Sequence, residues 1–511
     1  MSVSQPDKQR RLLPRWQPSK RTIAAGELRP ATNSAPALTS DDEHFEQRKE
    51  EWERVRSIDV AAELVGSAIV LGRTHEVEAA VRLLAEPSSD VSATLREMAR
   101  LAVGASIKSS PKRRLSRPGR LERPVLYEQI SKTRQHLHQN PRDAYAYIDL
   151  ARLYTILGQN EKARHVIHAA LAIAPEDRFV LRASARYFVH VDEPEAALRV
   201  LARARATAQD PWLMAAEIAV SQVAQRAPRN VARAQRALQQ GRWAPRSGSE
   251  LAGSLATLML KDGADQQARQ LFRQSLVDPT ENAVAQAEWA SAETSGLIVP
   301  EQFLRDPNGH EARALHDRVA GHWSDAIERC WDWVEYEPTS TRPLLLGSYV
   351  AAVAHEDGNT IIEFADRGLA AEPNNTILQN NKAVGLAYLG QFEEATALLK
   401  KIIIERSPTA AQPALYATTG LLFFRLGDLE NGRLLYEKAI THPHSRKDRW
   451  LQALALWHLA IEESRVGTPE ATSVIGRAEL ASKGLKVPEF GPLRARAAAA
   501  LKRAPVKSAH S

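Results

Sequence analysis

Residues 144–175 have the pattern of two short amphipathic helices, and this stretch constrains the fold more than any other. Apolar residues recur every three to four positions on both sides of a tight turn at Gly158-Gln159-Asn160, and Pro175 closes the unit. One such hairpin is too small to bury its own apolar faces, so it must stack against similar neighbours. The pattern predicts an array of helix pairs.

Small residues occupy matching positions in the two helices of this unit. Ala151 and Ala163 allow the helix axes to approach closely, while larger apolar side chains fill the space around them. The same spacing recurs in Ala185 and Ala197, Ala314 and Ala326, Ala383 and Ala395, and Gly420 and Gly432. The sequence thereby resembles the tetratricopeptide repeat family, with its period of about 34 residues. The resemblance implies an all-α fold, a right-handed α-solenoid of antiparallel helix pairs.

Breaks in this pattern divide the chain into segments. The expected order is a disordered basic arm at 1–40, an N-terminal helical cap at 41–104, a basic linker or loop at 105–124, the first half of the repeat array at 125–280, an irregular joint at 281–306, the second half with a C-terminal cap at 307–487, and a basic tail at 488–511. Within the arm, Trp16 is the one large side chain that folding would bury.

The formal net charge of +7 is unevenly distributed. Residues 1–30 carry seven Lys or Arg against two acidic residues, residues 106–124 carry seven against one, and residues 494–511 carry five against none. The repeats themselves are therefore mildly acidic. The single cysteine, Cys330, favours a reducing compartment, and no apolar run has the length of a membrane span. We expect a soluble cytoplasmic protein that makes no use of a membrane.

Motifs for catalysis or for metal binding are missing from the sequence. It has no glycine-rich phosphate loop, no His-Glu-x-x-His and no paired cysteines. His165 and His168 lie one helical turn apart, but they lack a carboxylate or thiol companion nearby, which favours a pair of exposed histidines over a metal site. Cys330 falls at a position that usually faces the core. The sequence predicts a protein that is not an enzyme and holds no cofactor or metal.

A solenoid offers a concave face, which the first helix of each repeat lines. Arginine suits carboxylates and asparagine suits backbone amides, as in a groove for an extended peptide. For each candidate the alternative is an ordinary solvated face. We predict a non-catalytic interaction scaffold that binds a peptide segment or a folded protein partner of unknown identity. The candidate residues are Tyr145, Asp149, Arg152, Arg182, Arg186, His190, Asn380, Asn381, Tyr388 and Arg425.

The basic segments support a second hypothesis, a regulatory protein associated with nucleic acid. Its phosphate contacts would come from the arm and the linker. No reading module is recognisable, so this binding would be independent of sequence and steeply dependent on salt. A solubilising tail is the alternative to this interpretation. The candidate residues are Arg10, Arg11, Arg15, Lys112, Arg113 and Arg114.

Overall fold

The computed structural model describes residues 12–19, 41–71, 73–86, 91, 93–103, 123–294, 296–304, 309–402, 404, 407–485 and 487–503. Secondary structure in these ranges is helical, without a β-strand. None of the helices there has both the length and the apolar character that crossing a membrane requires. The chain divides into two units. The first unit comprises Leu13–Pro228 and Glu337–Thr339, and the second comprises Met1–Leu12, Arg229–Tyr336 and Ser340–Ser511.

The first unit consists of helix pairs that follow one another along the chain. Helices α6 and α7 form one antiparallel hairpin and α8 and α9 the next, and the first helices α6, α8 and α10 are neighbours. The helices are α1 (Asp41–Arg54), α2 (Ile58–Leu71), α3 (Glu78–Ala85), α4 (Ala93–Ala102), α5 (Arg123–Gln139), α6 (Ala144–Ile156), α7 (Asn160–Ile173), α8 (Arg178–His190), α9 (Pro194–Arg203) and α10 (Pro211–Val223).

Aspartate residues begin the first helices of three successive repeats. Asp143, Asp177 and Asp210 cap α6, α8 and α10, and each carboxylate accepts hydrogen bonds from two backbone N–H groups of the first turn. Each carboxylate also bonds to a side chain that precedes it in the array. These pairs are His136 with Asp143 at 2.8 Å, Tyr145 with Asp177 at 2.7 Å, and Arg178 with Asp210 at 2.5 Å.

The N-terminal helices pair with the start of the array. Helix α2 packs against α5, and a Cβ added at Gly66 would lie 2.8 Å from the Cβ of Tyr127, so only glycine permits this approach. Arg134 on α5 donates to the carboxylate of Glu63 on α2 at 2.6 Å. Burial raises the pKa of Glu63, and Arg134 opposes that shift. Helix α2 of the predicted cap therefore forms a packed helix pair with α5, although two other helices separate them in sequence.

The second unit continues the same construction principle. Its hairpins are α12 with α13, α16 with α17, α18 with α19, α20 with α21, α22 with α23, and α25 with α26. The helices are α11 (Val231–Gln239), α12 (Pro245–Lys261), α13 (Asp265–Ser275), α14 (Glu281–Glu293), α15 (Glu301–Leu304), α16 (His310–Ala320), α17 (Trp323–Tyr336), α18 (Arg342–Val350), α19 (Gly358–Ala371), α20 (Thr376–Tyr388), α21 (Phe392–Leu399), α22 (Gln412–Arg425), α23 (Leu429–Thr441), α24 (Pro443–Lys447), α25 (Arg449–Val466), α26 (Ala471–Ser482) and α27 (Phe490–Arg503).

The stretch predicted as an irregular joint, 281–306, departs from the helix-pair pattern. Helix α14 packs on α12 and on α16, and the only other helix described within the stretch, α15, is four residues long. Gly296 between them has a φ of +80°, which glycine adopts without a steric penalty.

The small-residue pairs lie where the helices of a hairpin meet. All eight alanines of the four alanine pairs are fully buried. In the glycine pair, a Cβ at Gly432 would lie 2.6 Å from Phe424, and one at Gly420 would lie 2.9 Å from Tyr436. The all-α solenoid of antiparallel helix pairs that the sequence predicts is confirmed.

Two stretches predicted as tails contain ordered structure. Residues 12–19 belong to the arm predicted as disordered, yet they run as an extended segment with Leu12, Trp16 and Ser19 buried. In the predicted tail at 488–511, α27 packs on α25 with Phe490, Leu493 and Ala497 buried. These three residues recur at helical spacing, which gives the helix an apolar face despite its arginines.

Nearly all of the predicted linker at 105–124 lies outside the described residues. Only Arg123 and Pro124 are described, and α5 begins with them.

Candidate functional site

An extended stretch of the chain, Leu13–Ser19, lies against the first helices of the first unit. The Nε of Arg152 donates to the backbone carbonyl of Trp16 at 3.2 Å, and the backbone N–H of Ser19 donates to Oδ1 of Asp149 at 2.7 Å. Asp149 and Arg152 are three residues apart on α6, so they share one face of that helix. The face therefore binds both a carbonyl and an amide of an extended backbone.

Two prolines explain why this segment is extended. Pro14 and Pro18 fix their own φ angles and lack an N–H, and each disfavours the helical conformation at the residue before it. Between them, Trp16 is the side chain buried most deeply, with 2% of its surface exposed. Its indole meets the ring of Tyr187 on α8 edge-on, with centroids 6.1 Å apart.

Tyr187 is itself held in place. It is fully buried, and its hydroxyl donates to the backbone carbonyl of Asn160 at 2.7 Å, which fixes the ring against α7. Burial raises the pKa of Tyr187 to about 12, so the hydroxyl keeps its proton at neutral pH. The ring that Trp16 contacts is therefore anchored by a hydrogen bond of its own to α7.

Arg15 forms an ion pair with Glu337 at 3.5 Å, and the two side chains are only 7% and 6% exposed. This corrects the expectation that Arg15 offers its charge to phosphates, because the guanidinium is buried against a carboxylate. The other five residues of the nucleic-acid hypothesis, Arg10, Arg11, Lys112, Arg113 and Arg114, lie outside the described residues. We call Asp149, Arg152, Tyr187 and Glu337 together the segment site.

The electrostatics of this face follow from burial. Burial lowers the pKa of Arg152 to about 10, and Asp149 opposes the shift, so the guanidinium remains charged at neutral pH. Burial and the charge of Arg186 lower the pKa of His190 to about 4, while a hydrogen bond with the backbone of Thr339 opposes them. His190 is thus neutral at pH 7, and the positive charge of this face comes from its arginines.

The remaining candidates in the first unit contact neighbouring repeats. Tyr145 donates to Asp177, and its ring lies 5.2 Å from that of Phe179. The guanidinium of Arg182 lies over the indole of Trp212 at 4.8 Å, in cation–π geometry. These contacts join α6 to α8 and α8 to α10, which gives both residues a part in stacking the array.

In the second unit, Asn380 and Asn381 are buried rather than presented on a surface, with 1% and 5% of their area exposed. Nδ2 of Asn381 donates to the hydroxyl of Ser348 at 2.8 Å, and Nδ2 of Asn380 donates to Oδ1 of Asn381 at 3.4 Å. The sequence places them on a groove-lining face, but that face of α20 packs on α18. They form an internal network instead.

Arg425 belongs to a group of charges around the buried Glu462, in which the other side chains are partly exposed. We call this group the Glu462 cluster: Glu356, Arg425, Glu462, Arg465 and Arg496. Glu462 pairs with Arg425 at 2.8 Å and with Arg465 at 2.7 Å. Glu356 pairs with Arg465 and, at 3.5 Å, with Arg496 of α27. Burial raises the pKa of Glu462, and the two arginines beside it oppose the shift. The cluster joins α22, α25 and the last helix.

Tyr388 lies beside this cluster in an apolar setting. Its ring packs against a buried group that includes Ala351, Ile361 and Val384, and burial raises the pKa of its hydroxyl. His458 on α25 is held neutral, because burial lowers its pKa well below the usual value. Glu489, just before α27, accepts a hydrogen bond from Arg318 on α16 at 2.7 Å. These contacts dock the last helix on the array.

The candidate metal and thiol groups are separate from both sites. His165 and His168 are exposed on α7, and Cys330 is buried in α17 with its pKa raised by that burial. In the part of the chain that the structure describes, no three His, Cys, Asp or Glu side chains come together as metal ligands would.

The sequence alone does not identify the residues that complete the segment site and the Glu462 cluster. The sequence indicates that Trp16 is a side chain that folding would bury, but Tyr187 and Glu337 carry no signal that links them to it. The pattern Pro14-x-Trp16-x-Pro18 is the one available clue, because the prolines disfavour a helix and the large aromatic side chain between them gains by packing on another part of the fold.

No protein-family model matches the sequence, and no curated protein sequence matches it. Among solved structures, yeast Tom70 is similar over 90% of this chain and 92% of its own, with 12% identity and a TM-score of 0.32. The human IFIT1 dimer with PPP-AAAA is similar over 91% of this chain and 96% of its own, with 13% identity and a TM-score of 0.27. Scores this low carry no argument, so the solenoid assignment rests on the packing of the helices described above.

Proposed function

We propose that the chain is a divergent cytoplasmic tetratricopeptide protein, a non-catalytic scaffold that binds an extended peptide segment of a protein partner at the segment site. One observation carries this proposal. The face formed by α6 and α8 already holds an extended polypeptide, with one carbonyl bonded by Arg152 and one amide bonded by Asp149.

The chemistry of these two contacts suits peptides in general. A guanidinium and a carboxylate on a rigid helix satisfy the donor and acceptor that every extended backbone carries. Main-chain bonds of this kind give affinity, and side-chain contacts give specificity. The contacts of Trp16 with Tyr187 and of Arg15 with Glu337 are the side-chain contacts that give the site its specificity.

Affinity capture with the intact protein from its native lysate tests the proposal. A protein partner should survive a nuclease wash, should be lost with Arg152→Ala or Asp149→Ala, and should be kept with Arg226→Ala. Arg226 is a matched control because it is an exposed arginine that pairs with Glu195 at 3.1 Å. Circular dichroism of each variant shows that the loss does not come from unfolding.

Two results would contradict this function. Recovery that collapses with nuclease would move the activity to nucleic acid and to the basic segments. A partner that Arg152→Ala and Asp149→Ala both retain would place binding elsewhere on the chain.

A further inference from the structure

We propose that Leu13–Ser19 is a tethered competitor for the segment site, and that the partner's segment shares its chemistry: a cation followed by tryptophan in an extended, proline-flanked stretch. This inference rests on the proposed function and names the ligand class of the same site.

The contacts of Leu13–Ser19 are those of a bound ligand. The segment forms no helix or strand of its own, and its hydrogen-bond partners Asp149 and Arg152 lie 130 and 136 residues away in sequence. Its contacts include backbone hydrogen bonds to Asp149 and Arg152, an edge-to-face ring contact with Tyr187 and an ion pair with Glu337. Each of these is a contact that a peptide from another protein reproduces.

The side-chain contacts define which peptides compete. Trp16 buries nearly its whole surface, and its indole meets the ring of Tyr187 edge-on, so a smaller residue at this position leaves that ring uncovered. Glu337 is 6% exposed and pairs with Arg15, so a peptide without a cation at this position loses an ion pair to a buried carboxylate. Leaving a buried polar group without its partner weakens binding by roughly tenfold or more.

Tethering sets how strongly the chain's own segment competes. Because the segment and the site belong to one chain, their association is intramolecular, with an effective concentration on the order of 1 mM. Against a competitor whose intrinsic Kd is roughly 10 μM, this weakens the apparent affinity of a free peptide about 100-fold. The unaltered chain therefore admits only tight ligands or those at high local concentration.

The test uses a fluorescein-labelled peptide with the sequence of residues 10–22, RRLLPRWQPSKRT, and the full-length chain. Fluorescence anisotropy should show binding to the Trp16→Ala chain at least tenfold tighter than to the unaltered chain. Arg15→Glu, which sets a carboxylate against Glu337, is a second way to empty the site and should have the same effect. Arg152→Ala combined with Trp16→Ala should abolish the binding.

Peptide variants test the ligand class separately. Replacing the tryptophan with alanine, or the arginine before it with glutamate, should weaken binding to the Trp16→Ala chain by tenfold or more. If scrambled peptides bind equally well and Arg152→Ala still abolishes the binding, the inference fails while the proposed function stands. If binding is insensitive to Arg152→Ala, the proposed function fails at this site.

Three further outcomes would overturn the tethered competitor. One is equal affinity of the peptide for the unaltered and both emptied chains, and another is the absence of binding to either emptied chain. The third is an unaltered chain that sediments as a dimer and dissociates on addition of the peptide, because the segment would then occupy the site of a second copy.

Discussion

The guanidinium of Arg496 on the last helix lies 3.5 Å from the carboxylate of Glu356, whose own backbone is left-handed with φ at 52°. Glu356 follows a π-helical turn, Ala351–His355, at the end of α18. Such a φ costs a non-glycine residue on the order of 1 kcal/mol or more. The ion pairs with Arg465 and Arg496 therefore hold a strained residue in place.

Two substitutions of Glu356 distinguish the energetic cost of its left-handed backbone from the stabilisation by its ion pairs. Glu356→Ala should lower the free energy of unfolding by about 1–3 kcal/mol, because Arg465 and Arg496 lose their shared carboxylate. Glu356→Gly removes the same carboxylate but should cost about 1 kcal/mol less, since glycine adopts a positive φ freely. Urea denaturation followed by circular dichroism measures both. Equal losses for the two variants would mean that the left-handed backbone carries no strain.

Truncating Leu493 tests whether α27 is part of the fold. Leu493 is fully buried, so Leu493→Ala should cost about 2–5 kcal/mol through lost burial and the cavity left behind. Leu501 on the same helix is 38% exposed, and Leu501→Ala should cost far less. Thermal melting compares them. Similar, small losses of stability in both variants would show that residues 490–503 do not pack on the array and form a tail.

Two glycine substitutions test the close approach of paired helices. A Cβ at Gly432 would lie 2.6 Å from Phe424, so Gly432→Ala should overpack the hairpin and cost about 1–3 kcal/mol. A Cβ at Gly476 within α26 would meet no atom within 4 Å. Gly476→Ala should therefore stabilise the protein by about 0.5–1 kcal/mol through helix propensity. A stabilising Gly432→Ala would show that the pairing register is wrong.

The buried His190 makes stability depend on pH. Its pKa is about 4 in the folded chain and near 6.5 when unfolded, so between these values the unfolded chain binds a proton that the folded chain does not. Its contribution is complete above pH 6.5 and falls by about 3 kcal/mol as the pH drops to 4. Denaturation midpoints of the wild type and His190→Gln between pH 4 and 7 measure the effect. Parallel pH profiles would show that His190 takes up a proton as easily in the folded state as in the unfolded one.

The helix pairs were readable from the sequence because close packing imposes a local rule. Ala151 with Ala163 marks a hairpin through residues twelve positions apart, and the same rule finds its neighbours. The register that this rule sets also brought Asp149 and Arg152 to the face that holds the segment. Local periodicity therefore carries the fold and part of the segment site.

The rest depends on contacts that no local pattern encodes. Trp16 has its partners more than a hundred residues away, and a proline-flanked stretch has no helical period to connect it to them. Asn380 and Asn381 share the register of groove residues, but they are covered by α18, and only the packing of that neighbour decides their burial. The arginine and alanine content of α27 does not indicate which of its faces packs on the array.

The aspartate caps join two roles in one side chain. Asp177 starts α8 and, through the same carboxylate, bonds to Tyr145 on the preceding first helix, and Asp210 does so for α10 and Arg178. In a linear array, stability is the sum of what each repeat contributes alone and what it gains from its neighbour. One carboxylate contributes both to the stability of its own repeat and to the interaction with the preceding repeat. A repeat whose N-terminal cap frays therefore also loses a contact with the repeat before it. Melting of this array should thus spread from repeat to repeat and leave few half-unfolded chains.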